Sequence, residues 1–142
     1  MGTISRPKGP LTRCGDRWTE AQFINFVKNQ LRSATRKWAP IQECKKKAKV
    51  GYGEYQCECC KDVVPPTIYD EDKGKRVTNV FVDHIKPIVD PNTGFTTWDD
   101  FVNGTFCEAD NLQLLCGKCH KMKSQEEIDI ATARRAKEKT NA

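Results

Sequence analysis

The sequence predicts an α+β fold, and three patterns carry that prediction. Apolar residues near the N-terminus recur at helical spacing, and a β-branched run near the middle alternates as a strand does. Two CxxC pairs, Cys57–Cys60 and Cys116–Cys119, bracket the region between. The chain has 142 residues, the size of one ordinary domain. Apolar residues make up 37% and charged residues 30%, which permits a lean core and argues against wholesale disorder. No apolar run approaches the roughly 18 residues of a membrane helix. The first 30 residues show no hydrophobic signal region. Collagen-like and transmembrane classes are excluded, no membrane partner is expected, and the expected compartment is the cytoplasm.

Taken in order, residues 1–17 carry Pro7, Gly9, Pro10 and Gly15 among scattered basic residues and read as a flexible basic arm. Thr19 to Gln22 has the form of a capping box. Phe23, Phe26, Val27, Leu31, Ala34 and Trp38 follow at three- and four-residue intervals, predicting an amphipathic helix over about 20–38. Pro40 ends it and opens a second helix to about residue 50, stopped by Gly51. Both helices, within 18–50, are expected to pack on the core. Tyr55 to Lys61 forms the first cysteine knuckle, and Val63 to Gly74, with Pro65 and Pro66, reads as a loop with little regular structure. Val77 to Ile85 is a strand. Thr97 to Val102 is a helical turn ended by Gly104, with Trp98, Phe101 and Val102 as core plugs. Leu112 to Leu115 is a short strand running into the second knuckle. Ser124 to Glu127 caps a last helix to about 138, within a C-terminal segment of 126–142.

Charge is uneven. Residues 1–49 hold 12 Lys/Arg against 3 Asp/Glu, while the remainder holds 12 against 16. A basic front end suggests a polyanion, most simply nucleic acid. Arg32, Arg36, Lys37, Lys45, Lys46 and Lys47 are the candidate phosphate contacts, which give affinity without sequence information. A solvated helical surface is the plain alternative.

The chain has eight cysteines. Without a secretory signal, a disulfide framework is the weaker use. Cys57, Cys60, Cys116 and Cys119 have the spacing of a four-thiolate zinc site, closed to water and therefore structural. Cys59 is an alternative ligand to Cys60, and buried unligated thiols are the plain alternative for the set. Cys14, Cys44 and Cys107 read as ordinary residues.

The chain has two histidines. His84 follows Asp83 at a strand end, and His120 follows the last knuckle cysteine. Asn111 lies between them, opening the second strand. Singly, Asp83-His84 would read as a polar pair bonding loop amides, Asn111 as a turn residue, and His120 as a first-turn helix residue. In order they are more specific. The stretches Val82-Asp83-His84-Ile85-Lys86-Pro87, Asn111-Leu112-Gln113-Leu114-Leu115-Cys116 and Cys119-His120-Lys121-Met122-Lys123 resemble the HNH endonuclease family, in the zinc-knuckle form common in bacteriophages. Gly94 to Phe101 and, more weakly, Leu31 to Pro40 also resemble the phage members. The likeness covers roughly 55–125.

The resemblance implies a ββα-metal HNH core over 51–125, with a four-cysteine structural zinc site and N-terminal helices. It implies a phosphodiesterase reaction on DNA, duplex by preference, leaving 5′-phosphate and 3′-hydroxyl ends. His84 would match the general base that deprotonates water, a task suited to an unperturbed pKa near neutrality. Asp83 and His120 would match ligands of a catalytic Mg²⁺, Mn²⁺ or Ni²⁺. Asn111 would match the residue that holds the loop and orients the base. Some relatives carry histidine in place of Asp83 or asparagine in place of His120, which bears on the metal more than on the reaction. No element is placed to read base edges, so low sequence specificity is expected. Partners implied are DNA and, among phage proteins, terminase or other DNA-processing factors. A non-catalytic zinc-stabilised nucleic-acid-binding module, or an adaptor in such a complex, is the competing expectation.

Overall fold

The computed structural model describes residues 9–141. The chain divides into two compact units at Arg36/Lys37. The first unit pairs β1 (Leu11–Arg13) with β2 (Trp18–Thr19) antiparallel and continues into α1 (Glu20–Ala34). The expected capping box forms: Thr19 accepts from the Gln22 amide at 3.2 Å, and the Gln22 side chain accepts from the Thr19 amide at 2.8 Å. Residues 9–17 are therefore not a loose arm. Positive φ at Cys14, Gly15 and Asp16 turns the chain back. Arg13 ion-pairs with Glu20 at 2.7 Å and lies 4.2 Å over the Phe23 ring. The expected arm's residues 1–8 lie outside the described residues.

The predicted single helix over 20–38 ends early. A 3-10 turn, Thr35–Lys37, follows α1, and α2 spans Ala39–Ala48 with Pro40 in its first turn. Proline fits there because its missing N–H has no helical partner to lose. The second unit begins at Lys37, so α2 belongs with the cysteine-knuckle region, where it packs on β9 (Leu112–Cys116).

β3 (Lys49–Gly51), β4 (Glu54–Gln56) and β5 (Val63–Val64) form a three-stranded antiparallel sheet. The expected loop over 63–74 is instead half strand, in β5 and in β6. β6 (Thr67–Asp70) and β7 (Lys75–Thr78) form a hairpin in register Thr67↔Thr78 to Asp70↔Lys75. Its turn closes when the Gly74 amide, at φ 65°, donates to Asp70 O at 2.8 Å. The acidic composition of the turn masked the short alternation on either side of it. The predicted strand 77–85 is broken at Asn79. That residue takes its amide to Pro66 O and its carbonyl to the Gly117 amide, and β8 (Val80–His84) starts afresh.

β8 pairs antiparallel with β9, from Val80↔Cys116 to His84↔Leu112. α4 (Gly117–Asn141) leaves β9 directly. A short turn and then a capped helix were expected; one continuous helix forms, since nothing between Lys121 and Glu126 breaks it. The sequence β8, β9, α4 therefore makes a strand–strand–helix unit, with α3 (Trp98–Thr105) inserted between the strands. α3 runs through Gly104 to Thr105, so the glycine does not end the helix, and it packs against Ile88. Phe101 is 1% exposed and is a true core plug, as expected; Val102 faces out. Leu114, Leu115 and Cys57 are also buried almost completely.

Candidate functional site

The first knuckle is built by main-chain bonds. Cys57 N–H donates to Asp62 O at 2.9 Å, Lys61 N–H donates to Cys57 O at 3.0 Å, and Lys61 takes φ 66° to close the turn. Glu58 N–H donates to Leu114 O at 2.9 Å, tying the knuckle to β9, whose last residue is Cys116. The start of α4 supplies Cys119 one turn on. The sulfurs of Cys57, Cys60, Cys116 and Cys119 thus lie within 4.8 Å of one another. Cys60, not Cys59, completes the set.

Four thiols this close cannot all ionise without a cation. Burial pushes Cys57 up, but amide donation from Cys116, Cys60 and Cys59 outweighs it and brings the thiol down to about 6. Cys119 is pushed up, first by burial and then by the neighbouring thiols of Cys116, Cys57 and Cys60. A tetrahedral dication with a preference for sulfur would resolve that conflict, and the donor set fits a structural metal such as zinc. Cys44, outside the cluster, is buried and raised to about 11, as an inert core thiol should be.

Asp83 and His84 end β8 and point to opposite faces of the β8–β9 pair, because successive strand residues alternate. Asp83 faces α4. Its Oδ2 accepts from Lys123 Nζ at 2.5 Å and from Gln113 Nε2, on the paired strand, at 3.3 Å. Lys123 also donates to His84 O at 2.6 Å and ion-pairs with Glu127 at 3.1 Å. Burial lowers the Lys123 pKa, yet the bonds to Asp83 and Glu127 outweigh it and hold the ammonium above its usual value. His120 lies on the same face, stacked on Phe81 with ring centroids 4.3 Å apart and planes at 11°. His84 faces α3: its Nε2 lies 3.1 Å from Thr105 O. If Nε2 carries the proton, it donates to that carbonyl, and Nδ1 is left as an acceptor with no partner among the described residues.

Asn111 clamps the turn after His84 from both sides. Its main-chain carbonyl accepts from Ile85 N–H at 2.8 Å, its Oδ1 accepts from Lys86 N–H at 2.9 Å, and its Nδ2 donates to Lys86 O at 3.2 Å. Beside this clamp lies a cleft of about 490 Å³ lined by residues that include Lys86, Phe95, Asn103 and Asn111.

Among the described residues, the four cysteines are the one group of three or more metal-ligating side chains whose donor atoms converge. Asp83 and His120 share a face without such convergence, and Asp83 is already neutralised by Lys123. Lys45, Lys46 and Lys47 are exposed on the last turn of α2, with Lys45 Nζ 5.9 Å from the Tyr55 ring centroid, and Lys37 is exposed ahead of that helix. Arg32 and Arg36 lie in the first unit, also exposed. Sequence reasoning left three participants unassigned. Lys123 was within reach, one helical turn beyond His120 on the same side. Gln113 required the strand register, and Thr105 contributes a main-chain carbonyl, for which residue type gives no signal.

Comparison with known proteins finds no match to any family model, curated protein or solved structure. No helix among the described residues is long and apolar enough to cross a membrane.

Proposed function

We propose that the chain is a divalent-metal-dependent endonuclease of the HNH type, cutting phosphodiester bonds of DNA with low sequence specificity. The observation that supports this reading best is the clamp of Asn111 on Ile85 and Lys86, set against a histidine whose Nε2 lies on a main-chain carbonyl. That is how a general base is prepared: one ring nitrogen is fixed, the other is free to accept a proton, and the following turn cannot swing. His84 would take a proton from the attacking water at Nδ1 and hold it on the ring. Asn111 would position His84 through the turn, without touching substrate. Asp83 and His120 would hold the second cation, Mg²⁺, Mn²⁺ or Ni²⁺; such a cation stabilises charge on a phosphate and its leaving oxygen. Lys123 would first have to release Asp83, and the carboxylate would have to turn round the end of β8 to share a phosphate with His84, which faces the other side of the strand pair. The phage origin, and a partner such as terminase, belong to the same proposal and rest on the sequence resemblance.

The Asp83–Lys123 ion pair favours a second reading, a zinc-stabilised nucleic-acid-binding module or adaptor without catalysis, because it satisfies the carboxylate with no metal at all. Supercoiled plasmid separates the two. Nicking or linearisation in Mg²⁺, Mn²⁺ or Ni²⁺, reduced by orders of magnitude in a zinc-replete His84→Ala protein, is the expected result. Intact plasmid in every metal, with DNA still retarded in a gel, would establish the module instead.

A further inference from the structure

The turn between β3 and β4 carries Tyr52 between Gly51 and Gly53, and its side chain is 99% exposed, the most exposed of the large apolar residues described. Gly53 takes φ 65°, the left-handed conformation that favours glycine at the third position of such a turn. Space around it is open, since a Cβ built there meets nothing within 4 Å. Tyr52 has no hydrogen bond, ring stack or cation contact among the described residues. The fold thus holds a ring out at the tip of the β3–β4 hairpin ribbon and gives it no intramolecular role.

The ribbon's surroundings say what the ring could meet. From Cys44 to Gln56 four lysines, 45, 46, 47 and 49, stand against one acid, Glu54. They divide between the two faces. Lys49 is paired with Tyr55, and Lys45 lies over the Tyr55 ring, so these cations flank one side. On the other side Lys47 and Lys61 line one small cleft with Val50, Gln56 and one acid, Glu58. The tip is about three strand residues from this root, about 10 Å. Cations at the root and a bare aromatic at the tip match a polyphosphate chain bearing a base whose face is free. In a B-form duplex that face is covered by its neighbours, so the ring selects an unpaired or unstacked base.

We infer that the Tyr52 ribbon is a stacking platform for an unpaired nucleobase, with Lys45, Lys47, Lys49 and Lys61 on the flanking phosphates. The inference does not depend on catalysis, and its test reads binding alone. Fluorescence anisotropy would measure fluorescein-labelled dT12, rU12 and a 12-base-pair duplex, in low salt with zinc and no other divalent metal. Tyr52→Ala should weaken single-strand binding about tenfold, the scale of one lost base–aromatic stack. Tyr52→Phe and Tyr52→Trp should retain it within about twofold, and the duplex should change less than twofold. Loss on dT12 alone, on rU12 alone or on both supports the platform and names the polymer. The inference is overturned by single-strand affinity unchanged in Tyr52→Ala, by wild-type protein that binds neither single strand, by equal loss in Tyr52→Phe, or by equal loss on the duplex. Circular dichroism of each variant checks that the fold is retained, as substitution of a fully exposed turn residue allows. A plasmid assay that fails would leave this result standing, and the reverse also holds.

Discussion

Asn111→Ala isolates the clamp. The substitution removes Oδ1 from the Lys86 amide and Nδ2 from the Lys86 carbonyl, and leaves the main-chain bond from Ile85 to residue 111 in place. Each lost bond is worth about 0.5–1.5 kcal/mol net. Lys86 is exposed and its freed groups reach water, so the low end applies and the total is about 1–2 kcal/mol. For a unit of roughly 100 residues that lowers Tm by about 5–10 °C. Amide hydrogen exchange gives the sharper readout: the Lys86 amide should lose protection while the Ile85 amide keeps it. If the proposed reaction holds, kcat should fall by about 10- to 100-fold with KM little changed, because a misplaced base costs the chemical step rather than binding. Equal exchange at Lys86 in both proteins, or a Tm within 1 °C of wild type, would refute the idea that this side chain fixes the turn.

Other outcomes follow from the same geometry. Mass spectrometry under native conditions should find one zinc per chain, and zinc should raise the urea midpoint of wild type but not of Cys116→Ser; a wild type that binds no zinc and gains no stability from it would remove the metal. Lys123→Met strips Asp83 of its partner in a half-buried setting and should destabilise by about 1–3 kcal/mol in chemical denaturation, while raising the affinity for Mn²⁺ in calorimetric titration. Unchanged Mn²⁺ affinity would show that the lysine does not compete for the carboxylate. The zinc-free protein should be most stable near pH 8–9. Cys57 is depressed to about 6, so its contribution is present above the unfolded thiol value of about 8.5 and is lost as pH falls through 6. Cys119 is raised, so the folded state holds a proton the unfolded state sheds, and stability declines again above about 8.5. Urea midpoints at pH 5.5, 7, 8.5 and 10 that run monotonically would contradict this.

The cysteine tetrad was legible because CxxC spacing is a local fact and zinc chemistry leaves few alternatives for two such pairs. The capping box at Thr19 was legible for the same reason. The β6–β7 hairpin was not, since prolines at 65 and 66 and an acidic turn outweighed four short alternating residues on each side. The break at Asn79 was hidden because it arises from long-range main-chain bonds to Pro66 and Gly117, which composition does not encode. Likewise, motif order placed Asp83, His84, Asn111 and His120 around one strand pair, but only the register shows that 83 and 84 look opposite ways. The partner of Asp83 is then Lys123, a cation supplied by the chain itself.

β9 joins Asn111, just ahead of it, to Cys116 at its far end, roughly 17 Å away at strand rise. Sliding this strand by one residue would turn the Cys116 sulfur out of the tetrad and drop Leu114 out of the interior together. The length of this segment is therefore pinned from both ends, and insertions or deletions inside 112–116 should be barred in any descendant sequence.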